Sequence, residues 1–84
     1  MAYQLIYTKS ASKDIQKLDS VAKRKIKRKI ETYAQKPLAY AKKLSHSQLG
    51  DYRWRIGNYR TVFDIEGKKI IILRVGHRKE IYRR

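Results

Sequence analysis

The sequence has no cysteine, a single proline, four glycines and two histidines in 84 residues. Without cysteine there is no disulfide framework and no thiolate metal site. Two histidines, His46 and His77, are a poor basis for zinc, which wants about four nitrogen or sulfur ligands. No metal or cofactor is expected, and His46 reads as loop. Acids are scarce too: 7 Asp and Glu stand against 22 Lys and Arg, a formal net charge of +15. No apolar run approaches the roughly 18 residues of a spanning helix. No apolar segment follows the N-terminus as it would in a secretory leader. The expected setting is cytoplasmic, with no membrane partner. The expected organisation is one domain over residues 1–84. A chain this short buries only about 60–65% of the surface its unfolded form exposes, so a bound partner would add to a thin stability margin. The charge balance asks for a polyanion as that partner.

What the chain does have begins with Tyr3–Thr8, aromatic and branched enough for a first strand. Ser10 or Ser12 can cap a helix carrying Ala11, Ile15 and Leu18 on one side. Asp14 is expected in that helix's first turn, where it suits the dipole. Asp19-Ser20 marks a break. Ser20 can cap a longer helix to about Gln35, with Ala22, Ile26, Ile30, Tyr33 and Ala34 as an i, i+4 stripe. Lys36-Pro37 ends it, because the residue before proline is pushed away from helix. Residues 38–50 read as an irregular connection pinned by Tyr40, Leu44 and Leu49. Three consecutive strands follow, roughly 52–56, 59–65 and 69–75, with Glu66-Gly67 as the second turn. A tail from Gly76 to Tyr82 crosses the sheet's end, with Gly76 expected to permit a bend or bulge. The predicted fold class is α+β, in the order β-α-α-β-β-β. Two N-terminal helices cover one face of a mostly antiparallel, twisted sheet, and the other face is open to a ligand.

The densest chemistry lies in Asp51-Tyr52-Arg53-Trp54-Arg55-Ile56-Gly57-Asn58-Tyr59-Arg60. Side chains alternate along a strand, so Arg53 and Arg55 point away from Tyr52, Trp54 and Ile56. Gly57-Asn58 suits a two-residue hairpin turn. That loop sets Arg55 opposite Arg60, and like charges directly opposed are destabilising. A solvated sheet face with long cationic side chains is one reading. The other is a phosphate grip, for which guanidinium groups supply paired donors and a permanent charge. Trp54, Tyr59 and Phe63 belong to the core face, and Val62 to the arginine face. The helix run Lys23-Arg24-Lys25-Ile26-Lys27-Arg28-Lys29 is either an ordinary solvated face or a surface that steers nucleic acid. No set of carboxylates converges with the arginines as a two-metal nuclease would require. A metal-free nuclease takes its nucleophile from the substrate, and RNA has the 2′-hydroxyl for it.

The hairpin segment, together with Val75-Gly76-His77-Arg78-Lys79-Glu80-Ile81-Tyr82, Lys17-Leu18 and Lys42-Lys43-Leu44, resembles the RelE/ParE superfamily of toxins from type II toxin–antitoxin systems. The resemblance runs over nearly the whole chain. It implies the RelE-like microbial RNase fold. On the RelE side it implies a ribosome-dependent mRNA endonuclease, or mRNA interferase, that acts in the A site and stops translation. There the 2′-hydroxyl attacks the adjacent phosphate. It implies as partners the 70S ribosome, mRNA and an acidic antitoxin in a hetero-oligomer. Position by position, Arg53 and Arg55 match two basic residues of that active site, which are lysines in the best-known RelE. Arg60 matches the hairpin arginine that binds phosphate. Arg78 matches the tail arginine at the leaving oxygen, and Tyr82 the C-terminal tyrosine that orients or stacks substrate. His77 falls where some members place another basic residue, and His77, Lys42 and Lys43 are the candidate RNA-binding residues. Arginine deprotonates too rarely to serve easily as a base, so two arginines in place of lysines leave the base open. The alternatives are a ParE-like toxin acting on DNA gyrase without RNA cleavage, and a non-catalytic RNA-binding module.

Overall fold

The computed structural model describes residues 3–45 and 48–81. His46 and Tyr82 lie outside the described residues. Seven elements follow one another: β1 (Gln4–Tyr7), α1 (Lys9–Gln16), α2 (Ser20–Tyr33), β2 (Ala41–Lys43), β3 (Tyr52–Ile56), β4 (Tyr59–Glu66) and β5 (Lys69–His77). The five strands form one sheet in the order β1-β5-β4-β3-β2. The first strand runs parallel to the last, and every other pairing is antiparallel. The expected α+β class and helix–helix–sheet arrangement are what the chain adopts. The sheet has one more strand than the sequence suggested.

That extra strand is β2. Ala-Lys-Lys has low intrinsic strand preference, so pairing with a formed neighbour creates it. Ala41, Lys42 and Lys43 lie opposite Trp54, Arg53 and Tyr52. Trp54 fixes the approach as well. Its ring is fully buried, and its Nε1 donates to the Pro37 carbonyl at 3.0 Å. Tyr33 at the end of α2 stacks on Tyr40 with ring centroids 4.4 Å apart.

The helix caps also differ from expectation. Thr8, not a serine, caps α1. Its Oγ1 accepts from the Ala11 N–H and donates to the carbonyl of Ile72 on β5. Asp19, one residue before Ser20, caps α2 by accepting from the Ala22 N–H at 2.7 Å. Both choices follow from geometry: the capping side chain must sit where the backbone is still extended, as Thr8 and Asp19 are. The helices bury Ala11, Ile15, Ile26, Ile30 and Ala34 against Trp54, Phe63, Ile70, Ile72 and Val75 of the sheet. No helix among the described residues is long and apolar enough to cross a membrane.

Asp14 lies past the first turn of α1 and does something other than meet the dipole. β1 stops at Tyr7, which leaves the upper edge of β5 without a strand beside it. The Asp14 carboxylate fills that gap. It accepts from the Val75 backbone N–H at 2.9 Å and from Arg74 Nε and Nη2 at 2.8 and 3.1 Å. The hydrogen bond raises the Arg74 pKa above its ordinary value, against the opposing effect of desolvation. A bulge beside this point inserts Leu73, because Val62 pairs with Arg74 and Phe63 with Ile72. The expected bulge at Gly76 does not occur there. Gly76 stays in the ladder, and a Cβ on it would come within 3.3 Å of Ile81 Cδ1.

The face away from the helices is less open than expected. Gly50 sits against Val62 and Leu73, so near that a Cβ would lie 2.7 and 2.6 Å from their methyl carbons. The Asp51 N–H is tied to Asp64 Oδ1 at 2.7 Å. The segment before β3 therefore covers the middle of this face, and Val62 is fully buried.

Two stability outcomes follow. Asp14→Ala should cost about 1–3 kcal/mol, since it leaves a part-buried N–H without its acceptor, measured by urea unfolding. Gly50→Ala should destabilise by about 1–3 kcal/mol through overpacking, whereas alanine at the exposed tip Gly67 meets no neighbour and acts only through its positive φ of 61°.

Candidate functional site

The β3–β4 hairpin has the register that its turn dictates. Ile56 lies opposite Tyr59, Arg55 opposite Arg60, Trp54 opposite Thr61 and Arg53 opposite Val62. Gly57 takes φ +59° in the turn, a conformation open to glycine at little steric cost. The strand pattern does the rest. Trp54, Ile56 and Phe63 are buried under the helices, which forces Arg53 and Arg55 onto the other face.

Two rows of side chains cross that face. One runs Lys42, Arg53, Val62, Arg74, and the next runs Arg55, Arg60, Gly76. Paired positions in such rows have Cβ atoms about 4.5–5.5 Å apart. Lys42, Arg53 and Arg55 thus form a contiguous cationic patch on β2 and β3. Arg53 is half-buried, and Lys42 and Arg55 are exposed. Among the described residues the one ion pair is Arg74 with Asp14, so none of these three cations meets a described carboxylate. Such a patch can hold a phosphate through several donors and concentrate positive potential on it.

Arg60 is placed differently. It is buried, with 8% of its surface exposed. Its Nη1 donates to the carbonyl oxygens of Gly57 and Tyr59 at 3.2 and 3.1 Å. The opposed charges of Arg55 and Arg60 are reconciled because one guanidinium turns back onto its own hairpin.

The tail brings Arg78 to the hairpin and leaves His77 elsewhere. The Arg78 backbone N–H donates to the Asn58 carbonyl at 2.7 Å, and Ile81 is buried over Gly76. His77 pairs with Tyr59 and meets its ring edge-on at 5.8 Å between centroids. That register puts His77 on the helix side of the sheet. There it lines a cleft of about 440 Å³ with Asp14, Lys17, Leu18 and Glu80. Its Nδ1 accepts from the Lys79 N–H at 3.2 Å, which leaves Nε2 to carry the proton of the neutral ring. Lys42 and Lys43 also separate, for Lys43 lies opposite core-facing Tyr52. The position of Lys42 beside Arg53 was invisible without β2. The burial of Arg60 has no signal in its sequence neighbours.

The chain is similar to known proteins over its whole length. A family model described as ParE toxin of type II toxin–antitoxin system, parDE, matches residues 5–82. Toxin RelG of Mycobacterium tuberculosis is 32% identical over 87 residues that cover all of both chains. The solved toxin–antitoxin complex RelBE2 from the same organism contains a chain that superposes with a TM-score of 0.83 at 26% identity, covering 92% of this chain and 99% of that one. The RelB–RelE complex of Methanococcus jannaschii gives a TM-score of 0.72 at 31% identity, covering 93% and 95%.

The two lysines offer a direct check of the face assignment. Lys42→Ala should lessen the slope of log affinity for single-stranded RNA against log salt by roughly 0.7, as for one lost phosphate contact. Lys43→Ala should leave the slope as it was. Equal effects from both would contradict the placement of the cationic patch.

Proposed function

This chain belongs to the ParE toxin family of type II toxin–antitoxin systems, and from that premise we propose that it is a RelE-like, ribosome-dependent mRNA endonuclease. The observation that carries the reading is the patch of Lys42, Arg53 and Arg55, with Arg78 tied to the adjoining turn. The reaction is internal transesterification of RNA. The 2′-oxygen forms a bond to phosphorus as the bond to the 5′-oxygen breaks. The 2′-hydroxyl loses its proton and the 5′-oxygen gains one, leaving a 2′,3′-cyclic phosphate and a 5′-hydroxyl. Arg53 and Arg55 take the non-bridging oxygens, where negative charge grows toward the transition state. Arg78 faces the leaving oxygen, and Tyr82 orients the substrate. Lys42 extends the contact along the RNA backbone.

The nucleophile comes from the substrate, so this chain's contribution is positioning and charge. Its partners on this reading are mRNA in the A site of the 70S ribosome and an acidic antitoxin whose segment folds over the basic surface. The compared RelBE2 and RelB–RelE structures are themselves toxin–antitoxin complexes, which supports a hetero-oligomer here. The cytoplasm is where such partners meet.

The match to a ParE model favours one second reading, a toxin directed at DNA gyrase that cleaves no RNA. The two separate cleanly. Purified protein added to programmed ribosomes should produce mRNA ends within the A-site codon. Arg55→Ala should lower the cleavage rate by about 10²–10³-fold, the usual cost of one donor to a developing oxyanion. Tyr82→Phe should lower it as well. Intact mRNA beside an active control toxin would sink the endonuclease reading, and induction of the DNA-damage response before translation falls would favour gyrase.

A further inference from the structure

We propose that Tyr40, backed by Tyr33, is a stacking platform for an unpaired base of single-stranded RNA, set at the β2 edge of the sheet and apart from the arginine patch. Its place along the RNA rests on the endonuclease reading, and the platform itself does not. Tyr33 ends α2, and its ring stacks on that of Tyr40 with centroids 4.4 Å apart and planes 18° from parallel. One face of Tyr40 is thus covered, yet 52% of the residue is exposed. That exposure belongs to the other face and the ring's edge. A flat, open aromatic face is what a nucleobase stacks on.

The ring is held in place before any ligand arrives. The turn that leads to it is closed by the Ala39 N–H on the Lys36 carbonyl at 3.0 Å. On one side of Tyr40 the Pro37 carbonyl accepts from Trp54 Nε1, and on the other Ala41 pairs with Trp54. Tyr33 itself meets Trp54 edge-on, with 5.9 Å between centroids. One buried tryptophan therefore anchors both tyrosines. An aromatic side chain fixed in this way loses little further freedom on binding.

The surroundings select the occupant. Lys29 Nζ lies 5.8 Å from the centre of the Tyr33 ring. Lys36, Lys42 and Lys43 are exposed in the same stretch of chain. The sequence has no Asp or Glu between Glu31 and Asp51. Glu31 stands two positions before Tyr33, about 200° round the helix, and so points away from it. An aromatic face ringed by cations is the combination that takes single-stranded nucleic acid. A protein partner would want about 800 Å² of surface, and the one other large hydrophobic residue exposed in this connection is Leu38. Lys42, two residues beyond Tyr40, lies opposite Arg53 on the last strand of the sheet. RNA held at Arg53 and Arg55 and leaving over Lys42 meets Tyr40 next.

The test measures binding of a short single-stranded oligoadenylate to the whole chain. Tyr40→Leu keeps an apolar cover on Tyr33 and should weaken binding about 5–100-fold, the loss of one stacked base. Tyr40→Phe should bind as the native chain does. Tyr40 carries no charge, so Tyr40→Leu should leave the slope of log affinity against log salt unchanged. Binding of a polyglutamate peptide, which has no rings to stack, should be equal for Tyr40→Leu and the native chain. Tyr40→Trp adds an exposed indole to a chain whose Trp54 is fully buried. Oligoadenylate should quench its fluorescence, and polyglutamate should not.

Native affinity in Tyr40→Leu, a reduced salt slope, or no quenching in Tyr40→Trp would overturn the proposal. So would an equal loss for polyglutamate, which would mark a contact for an acidic protein instead. If Tyr40→Leu does not fold by urea unfolding, the quenching in Tyr40→Trp decides alone. If the native protein cleaves no mRNA, the endonuclease reading falls while oligoadenylate binding still decides the role of Tyr40.

Discussion

The register of β3 against β4 is the constraint from which the rest of the molecule follows. Side chains have a period of two in a strand, so a slip of one residue would exchange the faces of the whole hairpin. Arg53 and Arg55 would then point into the core, and Trp54 and Ile56 into water. The turn and the core oppose that slip together. Gly57 takes the positive φ that a two-residue loop needs, and Trp54 packs on Phe63 with ring centroids 4.0 Å apart. Burial of large aromatic side chains is worth a few kcal/mol each. This exceeds the fraction of a kcal/mol to about 1 kcal/mol by which facing like charges repel. The hydrophobic pattern therefore wins, and the arginines are held where electrostatics alone would not place them.

The same contest is repeated in α2. Lys23 and Lys27, Arg24 and Arg28, and Lys25 and Lys29 are like-charged i, i+4 pairs on one helix. Each such pair weakens an isolated helix by about 0.2–0.5 kcal/mol. The helix holds because Ile26 and Ile30 are almost completely buried against the sheet. An aspartate cap at its positive end adds a favourable dipole interaction. Surface charge in this chain is thus carried by a frame that tolerates it. Only one ion pair joins described residues, and that pair closes the edge of β5.

Local features were legible in the sequence, and tertiary ones were not. The hairpin could be read to the residue because its turn, alternation and length all lie within ten positions. The helices could be placed from the spacing of Ala11, Ile15, Ile26 and Ile30, though their caps shifted to Thr8 and Asp19. β2 could not be read, since three residues of weak preference become a strand only beside Arg53 and Trp54. The bulge at Leu73 and the use of Asp14 on β5 arise where β1 stops, which no local pattern announces. Of the candidate site, Arg53 and Arg55 share a face by alternation alone. The separation of Lys42 from Lys43, and of His77 from the arginines, needed the sheet. The inward turn of Arg60 depended on the free carbonyls of a turn three residues earlier.

On the proposed chemistry, the division between holding and proton transfer carries a physical consequence. Guanidinium stays protonated across any working pH, so Arg53 and Arg55 offer constant charge and no base. A lysine at either place could lose its proton when desolvated beside other cations. An arginine in the same field cannot follow. The proton of the 2′-hydroxyl must then leave by another route, through Tyr82, through the substrate's surroundings or to solvent. On the endonuclease reading, a site built this way would bind a phosphate before it could act on it, and cleavage would wait for a setting that supplies the missing base. Dependence on a large RNA-containing partner would then be a chemical requirement of the site as well as a matter of where its substrate is found.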